Sequence, residues 1–226
     1  MLTAIIVAGG SSRRMGFDKT FAMLAGRPVI AHAIAAFEAS ACVNSIIVVG
    51  RQERLDKLQA STSASKVSQV IAGGEQRQDS VAEGLKCLSA ETTYVAVHDA
   101  ARPLITPAEI TRVFTAAQES GAAALAAPVT DTLKRATEAY VVCGSVERER
   151  LYAMQTPQIF SRQLIEEAFA RVETDKLLVT DEVSAVERLG REIVLVPNEN
   201  YNFKITFPHD LALAELVLNL RDSTAR

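Results

Sequence analysis

The chain predicts a doubly wound α/β domain built on a mostly parallel sheet, and two observations carry that expectation. Apolar runs rich in Val and Ile recur along the sequence, and most are separated by segments with the amphipathic period of a helix. The runs are apolar throughout rather than alternating, as strands are when helices cover both faces of a sheet.

In order, the strand candidates are 3–8 (TAIIVA), 45–49 (SIIVV), 66–71, 94–97 (YVAV), 123–129 (AALAAPV), 192–196 (EIVLV) and 203–206. The helix candidates carry their own punctuation. In TPAE at 106–109, Thr106 stands as N-cap, Pro107 at the first helical position and Glu109 where a capping box needs it, and Gly121 ends that helix. Ser161 precedes RQLIEEAFARV as a cap, a further helix starts after Thr180 and stops at Gly190, and a last one follows Pro208. One region, 131–157, breaks the rhythm. It is charged and polar around a short β-like core, AYVV at 139–142. Periodicity alone reads it either as a hairpin arm reaching to a partner or as a surface hairpin.

Bulk properties bound the function. No linker divides the 226 residues, so one domain over 1–226 is expected, and 48% hydrophobic with 23% charged residues is ordinary globular composition. A net charge of −3 argues against general nucleic-acid affinity, so any basic cluster is local for a reason. Cys42, Cys87 and Cys143 are few, odd in number and without a C-x-x-C pair, which fits a reducing cytoplasm. The N-terminus lacks a basic region before its apolar stretch and no run is long enough for a membrane span, so neither export nor membrane anchoring is expected.

In open α/β sheets ligands bind beyond the carboxyl ends of the strands, so the residues following each strand carry the chemistry. After the first comes IIVAGGSSRRMGFDK (5–19). Small residues at 9–12, Ser12 among them, let backbone N–H groups approach a ligand closely, and Arg13, Arg14 and Lys19 gather positive charge beside them, which points to a polyphosphate. Neither G-x-G-x-x-G nor G-x-x-x-x-G-K-[ST] is present, so hydride transfer with a dinucleotide and P-loop hydrolysis lose their main support. The second strand is followed by GRQER, an ordinary loop and helix start. A glycine turn with polar groups follows at 72–80 (AGGEQRQDS), then HDAARP at 98–103, and NFKIT delivers Lys204. Asp99 at a strand end suits a phosphate-bound magnesium ion or a sugar hydroxyl, or else a cap. Arg102 suits a substrate phosphate or an ion pair. His98 reads as a packed, hydrogen-bonded histidine. His32 and His209 carry no pattern, so a zinc site or a Ser-His-Asp triad has no basis.

VAGGSSRRMGFDK resembles the signature loop of nucleotidyltransferases that act on sugar nucleotides. Together with AGGEQRQDSV, VHDAARP, APVTDTLKR, TPQIF, TDEVSAVE and FKITFPHDLALAE, the chain resembles the 2-C-methyl-D-erythritol 4-phosphate cytidylyltransferase family over essentially its whole length. The loop alone is widely shared, whereas VHDAARP, DTLKR and TPQIF in that order are specific. The resemblance implies a Rossmann-like sheet of the nucleotide-diphospho-sugar transferase type with a protruding β-arm. It implies attack of a sugar-phosphate oxygen on the α-phosphorus of CTP, with pyrophosphate leaving, in non-mevalonate isoprenoid synthesis.

By similarity, Arg14 and Lys19 stabilise the transition state while Arg148 and Lys204 position the incoming substrate. Ala8, Gly9, Gly74, Glu75 and Ser80 fall to the cytosine edge, with Gly10 and Ala100 beside the ribose. Position 75 departs from relatives that often carry Asp there, and MGFDK is shorter than in some of them. Asp99, Arg102, Thr132, Arg148 and Thr156 would line the sugar-phosphate site, with Mg2+ bridging triphosphate oxygens and Asp99. The excursion at 131–157 becomes an arm clasping a second subunit of a homodimer, so that Thr132 serves the neighbour's pocket. The rival readings are a ribitol-5-phosphate cytidylyltransferase and an inactive nucleotide-binding regulator; the latter predicts loss of a catalytic cation, yet Arg14, Lys19, Arg148 and Lys204 are all present.

Overall fold

The computed structural model describes residues 1–10, 15–62 and 64–224. In chain order its strands are β1 (Leu2–Val7), β2 (Met23–Leu24), β3 (Arg27–Pro28), β4 (Val43–Gly50), β5 (Val67–Ala72), β6 (Tyr94–Asp99), β7 (Ala122–Pro128), β8 (Leu133–Ala136), β9 (Val142–Val146), β10 (Tyr152–Ser161) and β11 (Val194–Pro197). The helices are α1 (Val29–Ala39), α2 (Leu55–Ala60), α3 (Arg77–Lys86), α4 (Pro107–Ser120), α5 (Arg162–Thr174), α6 (Glu182–Glu187) and α7 (His209–Thr224). The main sheet runs β11-β7-β10-β6-β1-β4-β5. Its neighbours are parallel except around β10, which is antiparallel to both β6 and β7.

β1 shows why the apolar run had to be central. All six of its residues are buried, and the two-residue period of a strand sends alternate side chains to opposite faces. Leu2, Ala4 and Ile6 join α1, α2 and α4 residues such as Ile30, Phe37, Leu58 and Ile110. Ile5 and Val7 join Val81, Leu85, Ile165 and Val186 from α3, α5 and α6. Two cores flank one sheet, as the doubly wound reading requires. A third, smaller cluster of Met15, Leu24, Val29, Leu104, Ile205, Ala214 and Val217 seats α7 beside the loop after β1.

The helix signals act as expected at α4. Thr106 accepts from the Glu109 N–H, Glu109 accepts from the Thr106 N–H, and Gly121 closes the helix at φ 82°, a left-handed conformation that favours glycine. Ser161 occupies the N-cap position of α5 but its side chain makes no cap bond. The cap of α6 is Asp181, one residue after the expected Thr180; its carboxylate accepts from the Ser184 N–H.

Three expectations need correction. Residues 203–206 form no strand; Ile205 instead makes a single backbone bond to Ala101. Residues 152–157 belong to the sheet as the start of β10 and not to the excursion, because their polar side chains are buried and bonded within the fold. Of AYVV only Val142 is paired, opposite Ala136 at the start of β9; residues 139–141 form the tip of the β8–β9 hairpin. There Tyr140 takes φ 60° and is 93% exposed, and Thr137 N–H donates to Val141 across the turn. The hairpin itself forms, a two-stranded sheet apart from the main one.

Candidate active site

The carboxyl ends of β1, β5 and β6 open into a cavity of about 630 Å³. Its walls are Ala8, Gly9 and Gly10 after β1, Glu75 to Arg77 and Ser80 around the start of α3, Asp99 at the end of β6 with Ala100 and Ala101 after it, and Lys19, Arg51, Lys204 and Thr206. A second cavity of about 400 Å³ lies beside it, walled by Arg102, Met154, Gln155, Thr156, Gln158 and the start of α6. Arg77, Asp99 and Lys204 border both.

The first cavity is shaped by backbone. A Cβ on Gly73 would stand 2.3 Å from Ser80 Oγ, and one on Gly74 would stand 2.3 Å from Asp79 Cβ. Only glycine lets this turn tuck against the first turn of α3, whose N-terminal end thereby faces the cavity. Gln76 and Asp79 close that end with a capping box, and Ser80 Oγ donates to the Gln76 carbonyl. Ala8 N–H donates to Val49 and Ala100 N–H to Val7, so both strand exits are pinned to the sheet.

Asp99 is the electrostatic hinge between the cavities. Its Oδ1 accepts from Arg77 Nε at 2.9 Å, its Oδ2 accepts from Lys204 Nζ at 2.8 Å, and Arg102 Nε stands 3.8 Å from Oδ2. Burial pushes this carboxyl up, but Arg77 first and then Lys204 pull it the other way, and the cations hold it well below the usual carboxylate range. Arg77 spends its two terminal nitrogens on the buried carboxylate of Glu182, at 2.6 and 3.0 Å. Burial disfavours the Arg77 charge, yet Glu182 and then Asp99 more than offset it and raise its pKa further.

Behind Asp99 runs a chain of hydrogen bonds with only one consistent proton arrangement. The Arg102 carbonyl can only accept, so His98 Nε2 donates to it at 3.1 Å and Nδ1 is left as acceptor. The Thr156 hydroxyl therefore donates to Nδ1 at 3.0 Å while accepting from the Asp99 N–H at 3.1 Å. Burial lowers the His98 pKa to about 4, against the attraction of Asp99, so the ring is neutral at physiological pH. Arg102 is held by the carbonyls of Asn202 and Met154.

This geometry has relatives. A family model described as 2-C-methyl-D-erythritol 4-phosphate cytidylyltransferase matches residues 2–220. The chain belongs to that family. It is 41% identical over 221 residues to a protein of that name from Halalkalibacterium halodurans, covering 96% of each chain. It is likewise 41% identical to one from Bacillus cereus, covering 98% of this chain and 99% of the relative. Among solved structures it is similar to the 4-diphosphocytidyl-2C-methyl-D-erythritol synthase of Anaerococcus prevotii, with a TM-score of 0.85, 26% identity, and 97% and 96% of the two chains covered. The cytidylyltransferase of Thermus thermophilus gives 0.80 at 32% identity, with 95% and 98% covered.

Of the residues the family resemblance singles out, Ala8, Gly9, Gly10, Lys19, Glu75, Ser80, Asp99, Ala100 and Lys204 line the first cavity, and Gly74 sits in the turn beside it. Asp99, Arg102, Thr156 and Lys204 line the second. Lys19 and Lys204 meet from opposite ends of the chain, for Lys19 Nζ donates to the Ile205 carbonyl at 2.9 Å. Ser12, Arg13 and Arg14 lie outside the described residues. Thr132 and Arg148 border neither cavity; they sit exposed at the base of the arm, where Arg148 donates to the Thr130 carbonyl.

Four residues at the site escaped the sequence reading. Arg51, in the stretch read as ordinary loop, donates from Nε to the Gly9 carbonyl at 3.0 Å. Arg77 and Glu182 form the ion pair just described, and Gln155 accepts from Asn198 and Asn202 behind the second cavity. The one available signal was position: Arg77 opens the helix after a glycine turn. Among the described residues no group of three or more His, Cys, Asp or Glu could hold a metal ion. Asp99 alone fits a magnesium ion carried mainly by substrate phosphates, since each of its oxygens keeps a lone pair after accepting one cation.

Proposed function

We propose that this chain joins CTP and 2-C-methyl-D-erythritol 4-phosphate into 4-diphosphocytidyl-2-C-methyl-D-erythritol and pyrophosphate, as a step of non-mevalonate isoprenoid precursor synthesis. The observation that carries the reading is the shared wall of the two cavities. Lys204 and Asp99 face both, so a phosphate bound on one side and a triphosphate on the other meet at one ammonium group. Membership of the family supplies the two substrates.

A phosphate monoester is already anionic at neutral pH, so the attacking oxygen needs no base. It needs to be held in line with the α-phosphorus, and the charge that spreads over the phosphoryl oxygens needs fixed cations. Lys19, with Arg14 beside it in sequence, serves the α-phosphate, and Lys204 and Arg102 hold the incoming phosphate. The glycine turn and the Ala8–Gly10 backbone take the cytidine. Magnesium, when bound to the triphosphate with Asp99 as its protein ligand, neutralises charge that the lysines do not reach.

The arm completes the site in trans. Arg148 and Thr132 lie away from both cavities of their own chain and exposed, which supports their use by a second copy in a homodimer. The three cysteines are free, in keeping with a cytoplasmic enzyme. Pyrophosphate release with CTP and magnesium tests the whole reading. Methylerythritol phosphate should support turnover and ribitol 5-phosphate should not; turnover with ribitol 5-phosphate alone would replace the sugar assignment and keep the cytidylyl transfer.

A further inference from the structure

Arg51, Arg54 and Lys57 recur at every third residue from the residue before a 3-10 turn (Gln52–Arg54) into α2. Each reaches a different point of the segment leaving β1. Arg51 Nε donates to the Gly9 carbonyl at 3.0 Å. Arg54 Nη1 pairs with Asp18 Oδ2 at 2.8 Å. Lys57 Nζ stands 4.3 Å from the centroid of the Phe21 ring. Three different interactions thus bracket the polyphosphate loop at its start, beside Lys19, and at its end.

The leucines interspersed with these cations fix the same segment to the sheet. Leu58 is buried in the core with Leu55 packed against it. Leu58 lies so close to β4 that a Cβ on Gly50 would be 2.0 Å from its Cδ1. The segment is therefore anchored to the core by its leucines while its cations hold the loop. Asp18 transmits the grip. Its Oδ2 takes Arg54, its Oδ1 accepts from the Thr20 N–H at 3.0 Å, and the residue between them is Lys19, whose Nζ reaches the Ile205 carbonyl.

We propose that residues 51–57 are the seat of the Lys19 loop, and that Arg54 is a positioning residue for nucleotidyl transfer, acting through Asp18 on Lys19. The inference rests on the first cavity being the CTP pocket. A shift of about 1 Å in a group that serves the reacting centre costs on the order of 10²-fold in rate, and Arg54 sets where that ammonium sits without touching substrate.

Two measurements test it together. In steady-state turnover, Arg54→Ala should lower kcat/KM for CTP about tenfold or more while the KM for the sugar phosphate and the thermal midpoint stay at wild-type values. Arg54→Lys should recover a large part of the loss. Asp18→Asn keeps the acceptor for Thr20 but removes the charge, so it should cause a similar loss, and the double variant should lose no more than either single one. Wild-type kinetics in Arg54→Ala, or losses that multiply in the double variant, would overturn the proposal. Hydrogen exchange over residues 15–22 reads the same contact without substrate, and Arg54→Ala should speed it. If the wild type fails to release pyrophosphate yet this exchange responds, the functional reading fails and the seat stands; unchanged exchange removes the seat itself.

Discussion

The rim around Asp99 and the base of the arm hold the two halves of the expected site, and they are built in opposite ways. At the rim each charge is met by another group of the same chain: Asp99 by Arg77 and Lys204, Arg77 by Glu182, Arg102 by two carbonyls. In the arm, residues 134–143 are all exposed, and Arg148 reaches only the Thr130 carbonyl next to it. A preorganised charge cluster costs no rearrangement when charge develops in the transition state. An exposed arginine at the end of a hairpin has no such preparation, and gains it only when something packs against it. The contrast fits the homodimer proposed above: one chain supplies the fixed cations, and Arg148 would gain its partners from a second copy.

The largest expected effect separates those halves. Lys204→Ala removes an ammonium that borders both cavities and should lower kcat on the order of 10²-fold or more, about 3 kcal/mol in transition-state stabilisation. Arg148→Ala should cost a comparable amount if it serves the neighbour. Co-expressing the two variants then gives a decisive count. A mixed dimer of Lys204→Ala and Arg148→Ala chains has one pocket lacking both groups and one pocket with both intact. Random pairing should therefore restore about a quarter of wild-type activity from two nearly inactive parents. If Arg148 serves its own chain, every pocket lacks one cation and mixing restores nothing.

The same division explains what could be read in the sequence. β1, β4, β6 and β7 were legible because strands buried on both faces must be apolar throughout, and α4 because its caps are local chemistry. Asp99 and Lys204 were legible as a strand end and a late lysine. β10 was not, because Gln155, Thr156 and Gln158 are polar and still buried, and their partners Asn202, His98 and Asp181 come from distant parts of the chain. The Arg77–Glu182 pair closes across 105 positions, a separation over which no spacing rule operates. Arg51 stood in what read as an ordinary loop and helix start, and only folding shows that its partner is the carbonyl of Gly9.

The rim's rigidity should show as acid sensitivity, in a window that identifies the group responsible. His98 has an ordinary value of 6.5 and about 4 in the fold, so between those values the unfolded chain binds more protons. The stability His98 contributes is complete above pH 6.5 and is lost as the pH falls toward 4, for a total of about 3 kcal/mol. Asp99 acts lower: its depressed carboxyl contributes stability above the ordinary carboxylate range, lost only as the pH falls below it. Urea midpoints measured from pH 7 to pH 4.5 should fall in the wild type. They should fall much less in His98→Gln, whose amide can still donate to the Arg102 carbonyl. Equal slopes in the two proteins would mean that the ring is not held neutral by its burial.

The smallest effect comes from one substitution made in both regions. Thr156 is 3% exposed, and its hydroxyl joins the Asp99 N–H to His98 Nδ1. Thr156→Ala leaves a buried donor and a buried acceptor without that partner and should destabilise the chain by about 1–3 kcal/mol. Thr132 is exposed at the base of the arm, so Thr132→Ala should change unfolding by no more than about 0.5 kcal/mol. Turnover is where the two should converge, because an exposed threonine presented to a neighbour's pocket can matter to the reaction without mattering to its own fold. Denaturant unfolding at fixed protein concentration, set beside kcat and the sugar-phosphate KM, separates the cases. A Thr132→Ala enzyme with unaltered kinetics would leave the arm as a clasp that contributes no threonine to the site.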